Sequence, residues 1–157
     1  MSSQKQLSGK QFFLVFITIN VLFWTYFVSN VPNKSSKKME EKHSFACAIN
    51  CMDGRVQDAV KNYMREHYGV EYVDMVTEPG PNKILADNLD TPVVDNIRKR
   101  VKISVHHHGS KFVAIVGHEG CAGNPVGKEE QIEHLKKAKE VFAPQFQDAT
   151  IVLLWVG

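Results

Sequence analysis

Apolar residues in this chain gather in two patterns, short dense runs and stripes at helical spacing, and from Phe45 onward the two alternate. Phe45-Ala-Cys-Ala-Ile-Asn-Cys51 is a dense run too short for a helix, which predicts a strand buried on both faces. Asp58 to Tyr68 carries Ala59, Val60, Tyr63, Met64 and His67 at helical spacing, and Gly69 stands where a helix stop is expected. Val70 to Thr77 predicts the second strand, closed by the breaker Glu78-Pro79-Gly80-Pro81. A helix follows from Thr91 to His108. Thr91 can cap it, Pro92 suits its first turn, and Val93, Val94, Ile97, Val101 and Val105 form its apolar side. Lys111 to Gly117 is the clearest strand and delivers His118 at its tip. Lys128 to Phe142 predicts an amphipathic helix with Ile132, Leu135 and Phe142 inward, and Thr150 to Val156 a last strand.

Strands alternating with helices imply right-handed βαβ units, so the fold class expected for residues 45–157 is α/β, a mostly parallel central sheet flanked by helices. Ligands of such sheets gather beyond the carboxyl ends of the strands, near a switch in strand order.

The first 44 residues follow another pattern. After a tail of residues 1–11, Phe12 to Val28 is almost unbroken apolar sequence, interrupted only by Thr18, Asn20 and Thr25. About seventeen helical residues cover most of a bilayer's hydrocarbon core, which predicts an N-terminal transmembrane helix over 12–29. A cleaved signal peptide fits less well, because the run is long for one and Phe27 ahead of Ser29 spoils the small-x-small cleavage pattern. Lys34, Lys37, Lys38 and Lys42 after the span outnumber Lys5 and Lys10 before it, which inclines the orientation weakly toward a cytoplasmic C-terminal domain. Residues 30–44, with Pro32, Ser35, Ser36 and mixed charge, read as a polar linker.

Composition narrows the reading further. A charged fraction of 23% and a hydrophobic fraction of 43% are those of a globular chain and argue against disorder. A formal charge of +2 with no aromatic-interleaved basic stripe argues against a nucleic-acid partner. Cys47, Cys51 and Cys121 leave an odd thiol under any disulfide scheme. Cys47 and Cys51, four apart in a strand, are separated by roughly 13 Å, beyond disulfide reach.

Thiolate chemistry is therefore favoured. Cys51 and the pair His118-Glu119-Gly120-Cys121 offer two sulfurs and an imidazole, donors that zinc prefers, with a further coordination position open. Taken singly these would be a packed thiol and a surface histidine. Asp53 and Arg55, an acid and its cationic partner directly after Cys51, add weight to the metal reading. The run His106-His107-His108 falls in the last turn of a helix, where the dipole favours cations, and His67 and His134 lie on helix faces. These five are read as packing or solvent-facing residues. Cys47 is read as a core thiol.

Cys51-Met52-Asp53-Gly54-Arg55 followed by His118-Glu119-Gly120-Cys121-Ala122-Gly123 resembles the beta-class carbonic anhydrases, over the domain from about Phe45 to the C-terminus. The resemblance implies that Cys51, His118 and Cys121 are zinc ligands, that Asp53 and Arg55 form a catalytic dyad, and that the subunits assemble as a homodimer or a multiple of it. It implies reversible hydration of carbon dioxide to bicarbonate by zinc-bound hydroxide. The family also contains hydrolases of carbonyl sulfide and carbon disulfide, and a non-catalytic, membrane-tethered zinc-binding scaffold is a further alternative. Asp53 would orient the attacking oxygen, and Arg55 would restrain a carboxylate that could otherwise become a fourth ligand in a closed state. The chain departs from the family pattern where Arg-Asn-Ala-Gly is usual after the second strand. It has Thr77-Glu78-Pro79-Gly80-Pro81-Asn82 there, keeping only the glycine.

Overall fold

The computed structural model of this chain describes residues 43–89 and 91–157. The predicted transmembrane helix over 12–29 and most of the polar linker lie outside the described residues. Within them, no helix is long and apolar enough to cross a membrane.

A dense apolar run interrupted only by the buried Asn50 fixes the first strand, β1 (Phe45–Cys51), from Ala46 to Cys51 almost without exposure. The chain continues through α1 (Gly54–Tyr68), β2 (Tyr72–Glu78), α2 (Pro81–Asp87), α3 (Pro92–His106), β3 (Phe112–His118), α4 (Lys128–Phe142), a 3₁₀ turn and β4 (Thr150–Val156). The strands form one four-stranded sheet in the order β2-β1-β3-β4, every pairing parallel. The α/β expectation for this domain therefore holds.

Apolar surface is buried on both faces. On one face Cys47, Ile49, Val113, Ile115 and Ile151 pack against Val94, Ile97, Val101 and Val105 of α3 and Leu135, Ala138 and Phe142 of α4. On the other, Ala46, Ala48, Ala114 and Val116 pack beneath Val60 and Met64 of α1. Alanines alternate along β1 on that face, and small side chains let one helix sit close to the sheet. Burial pushes the Cys47 thiol up to about 12, so Cys47 is an inert packing residue, as its position in an apolar run suggested.

Local chemistry sets the helix limits. Thr91 accepts a hydrogen bond from the Val94 amide, and Pro92 opens α3 as expected. Gly69, at φ 63°, closes α1 in the left-handed conformation. Several details differ from the sequence reading. The helix expected to run to His108 ends at His106, so His107 and His108 lie beyond its last turn, and the strand expected over Val70 to Thr77 runs from Tyr72 to Glu78. The helix expected from Asp58 starts at Gly54, because Asp53 caps it by accepting from the Arg55 amide. The segment after Pro79-Gly80, read only as a breaker, holds the seven-residue α2, with Pro81 in its first turn. The inward face of α4 is Gln131, Leu135, Ala138 and Phe142, and Ile132 is only half-buried.

Candidate metal centre

Strand order locates the site. The chain leaves β1 for β2 on one side and then crosses to β3 on the other, so the order reverses between β1 and β3. Cys51 ends β1 and His118 ends β3, the two strands that flank this switch.

One turn brings the third side chain back. Gly120 adopts φ 63°, a left-handed conformation open to a residue without a side chain, and this reverses the chain so that Cys121 meets Cys51. The sulfurs of Cys51 and Cys121 lie 3.8 Å apart. That is far outside the S–S bond of about 2.05 Å, and both thiols are free. Ligating atoms of Cys51, His118 and Cys121 all fall within 4.8 Å of one another, and all three residues are buried. Among the described residues this is the single such group of three or more metal-ligating side chains. Val56 and Val156 pack around the two cysteines.

The histidine is oriented for coordination. Its Nδ1 lies 2.9 Å from the carbonyl oxygen of Glu119, which can only accept, so Nδ1 carries the proton and Nε2 keeps a free lone pair. Nε2 is buried and has no hydrogen-bond partner. A buried acceptor left without a partner costs about 1–3 kcal/mol, and coordination to a cation would remove that cost. Burial pushes the Cys121 thiol up, and the neighbouring Cys51 adds to the rise, while the Gly123 and Asn124 amides pull the other way. A cation at this point would reverse that balance. Two sulfurs each about 2.3 Å from one tetrahedral ion would be about 3.8 Å apart, so the donor set and the sulfur spacing fit zinc.

Asp53 and Arg55 stand at the rim. Arg55 Nε donates to Asp53 Oδ1 at 3.0 Å and Nη2 to Oδ2 at 2.5 Å, a two-pronged pairing. The same Nη2 reaches the Gly120 carbonyl at 3.3 Å, which ties the pair to the loop carrying Cys121. The Arg55 guanidinium holds the Asp53 carboxyl well below the usual carboxylate range, and the Asp53 carboxylate is not one of the clustered ligating groups. Gln57 donates to the carbonyls of Cys51 and Asp53 and fixes the strand-to-helix turn beneath them.

The altered Thr77–Asn82 segment closes the site from the β2 side. Glu78 accepts the Met52 amide at its carbonyl, 3.1 Å away, and pairs through its carboxylate with Arg100 of α3. Gly80 lies against Gly123 so closely that a Cβ on it would stand 2.5 Å from the Gly123 carbonyl carbon. Two glycines are thus required where the β2–α2 loop meets the loop after Cys121.

Sequence reading missed Gln131. It is fully buried on α4, and its amide contacts His118 and the loop after Cys121. Gly117 is the signal that could have found it, since a glycine inside a dense strand marks the close approach of another group. A Cβ there would meet Gln131 Oε1 at 3.0 Å and Asn82 Nδ2 at 3.1 Å. The remaining histidines join no cluster. His106 and His107 are exposed, His108 pairs with Asp74 at 2.7 Å, His67 stacks on Tyr63, and His134 meets Asn124.

Fold and site together define a class, an α/β domain with helices on both faces of a parallel sheet and a Cys-His-Cys cluster at its switch point. A family model described as "Putative carbonic anhydrase" matches residues 41–157, and the chain belongs to that family. The resemblance carried by Cys51-Met52-Asp53-Gly54-Arg55 and His118-Glu119-Gly120-Cys121 is thereby borne out. A solved beta-carbonic anhydrase from the filamentous ascomycete Sordaria macrospora, described as tetrameric, is similar at 17% identity, over 89% of this chain and 70% of that one, with a TM-score of 0.35. No curated protein matches this chain.

Proposed function

We propose that Cys51, His118 and Cys121 hold a zinc ion and that the chain catalyses the reversible hydration of carbon dioxide to bicarbonate, releasing a proton to solvent. One observation carries the reading: an unpartnered, buried Nε2 beside two free sulfurs at the spacing of a shared tetrahedral ion. Zinc in such a site supplies Lewis acidity and lowers the pKa of a coordinated water toward neutrality.

The chain's own side chains do the rest. The Glu119 carbonyl holds the His118 ring in one tautomer and one orientation. Arg55 keeps Asp53 ionised, so near neutral pH the carboxylate accepts hydrogen bonds and donates none. Asp53 accepts the hydrogen of the attacking water and turns an oxygen lone pair toward the substrate. By engaging both carboxylate oxygens, Arg55 also restrains Asp53 from joining the three ligands. Val56 and Val156 give the cluster an apolar wall compatible with a small, uncharged substrate. The apolar run over 12–28, outside the described residues, supports tethering of this activity to a membrane.

Stopped-flow hydration by the zinc-loaded chain tests the reading. Hydration faster than buffer alone is expected. Asp53→Ala should retain one zinc per chain yet lose activity by about 10–100-fold, the usual effect of removing a group that orients the atoms around a metal. Full zinc occupancy without hydration above buffer contradicts the proposal. Turnover of carbonyl sulfide by such a preparation would move the assignment to the hydrolase alternative.

A further inference from the structure

We infer that Gln131 is a positioning residue that sets the angle between His118 and Cys121, and so governs metal affinity from outside the ligand set. The inference rests on the reading of Cys51, His118 and Cys121 as metal ligands.

Gln131 lies in the first turn of α4 and is fully buried. A polar side chain in such a place is retained only when its hydrogen-bonding capacity is used, and here both ends of the amide are used. Oε1 accepts from the His118 amide at 3.2 Å and from Asn82 Nδ2 at 3.1 Å. Nε2 donates to the His118 carbonyl at 2.9 Å and to the Asn124 carbonyl at 3.2 Å, with the Val126 carbonyl at 3.4 Å.

The pattern is specific in what it joins. Gln131 engages both backbone polar groups of one ligand residue, which sets the direction from which the His118 side chain leaves the end of β3. The same amide grips Asn124, three residues beyond Cys121. Through Asn82 it reaches α2, whose preceding Gly80 abuts Gly123. One side chain thus joins three segments: the strand delivering the histidine, the loop carrying the cysteine and the helix behind the β2 loop. Gly117 leaves the room for this approach, because a Cβ there would press on both amide side chains.

A residue needed only for packing would be replaceable by one of similar length and volume. Gln131→Met keeps the chain length and removes every hydrogen bond. It separates positioning from space filling. Phe142→Leu, at the far end of the same inward face of α4 and stacked on Phe146, removes packing away from the ligand segments.

The test measures cobalt(II) binding to metal-free full-length protein, by affinity and by the visible absorption of the bound ion. Far-UV circular dichroism and Tm of each metal-free variant are recorded alongside. Gln131→Met is expected to weaken binding by about 10–100-fold and to shift the visible bands, because the histidine meets the ion at another angle. Phe142→Leu should lower Tm and leave the affinity and spectrum as in the parent. Asn82→Ala, which spares both bonds from Gln131 to His118, should change affinity in the same direction by a smaller factor. It serves as the test if Gln131→Met does not fold. Gln131→Met, or in its place Asn82→Ala, with parental affinity and spectrum overturns the inference even if Tm falls. If the parent binds no cobalt, or binds it equally after Cys51→Ser, the metal reading itself fails and the inference falls with it.

Discussion

Cys51→Ser is expected to leave a folded chain that purifies with far less than one zinc per molecule and hydrates carbon dioxide no faster than buffer. The substitution is nearly isosteric in a small apolar cluster of Cys51, Val56 and Cys121, so packing changes little. A neutral hydroxyl, by contrast, is a poor substitute for a thiolate on zinc. Apparent zinc-binding energies of about 10–16 kcal/mol, shared among three or four ligands, make each ligand worth about 3–4 kcal/mol, so affinity should fall by roughly 10²–10³-fold. Cys47→Ser is the matched control. Cys47 lies in the main core, away from the cluster, and its loss should affect stability but not zinc content. Metal analysis of the two variants side by side checks the prediction, and equal zinc in both would contradict it.

Gly80→Ala has the second largest expected effect, and it acts through the backbone. At φ 60° a residue with a Cβ incurs about 1–2 kcal/mol of left-handed strain. That Cβ would also stand 2.5 Å from the Gly123 carbonyl carbon and 2.9 Å from the Asn124 amide, main-chain atoms that cannot swing aside. Forcing them apart costs about another 1–3 kcal/mol. A total near 2–5 kcal/mol is a large part of the 5–15 kcal/mol typical of a folded domain. Because Gly123 follows Cys121 by two residues, zinc affinity should fall with stability. Urea unfolding of metal-free protein, followed by zinc titration, measures both. Gly54→Ala has open space around its Cα and should leave both nearly unchanged. A Gly80→Ala midpoint equal to that of Gly54→Ala would show that the glycine contact is not required.

Both predictions rest on features that differed in how legible they were beforehand. Cys51, His118 and Cys121 could be read from sequence because each ends a strand or follows closely on one, and dense apolar runs mark strands locally. Asp53 and Arg55 were legible through their nearness to Cys51, although the capping role of Asp53 was not, since the helix was expected to start later. Helix α2 escaped because seven residues starting at Pro81, directly behind Pro79-Gly80, carry too little periodicity to outweigh a turn signal. Gln131 escaped for a different reason. Periodicity assigns polar residues to the solvent side, and an inward glutamine becomes visible only once the backbone groups it satisfies are brought together across thirteen residues of chain. The contact of Gly80 with Gly123 is similarly long-range, and no local pattern announces it.

Zinc K-edge X-ray absorption on the purified chain reads the atoms bound to the metal. One zinc per chain, with two sulfurs at about 2.3 Å and lighter donors at about 2.0–2.1 Å, is the result predicted from Cys51, Cys121 and His118. A coordination shell without sulfur, or a spectrum unchanged by Cys51→Ser, would contradict it.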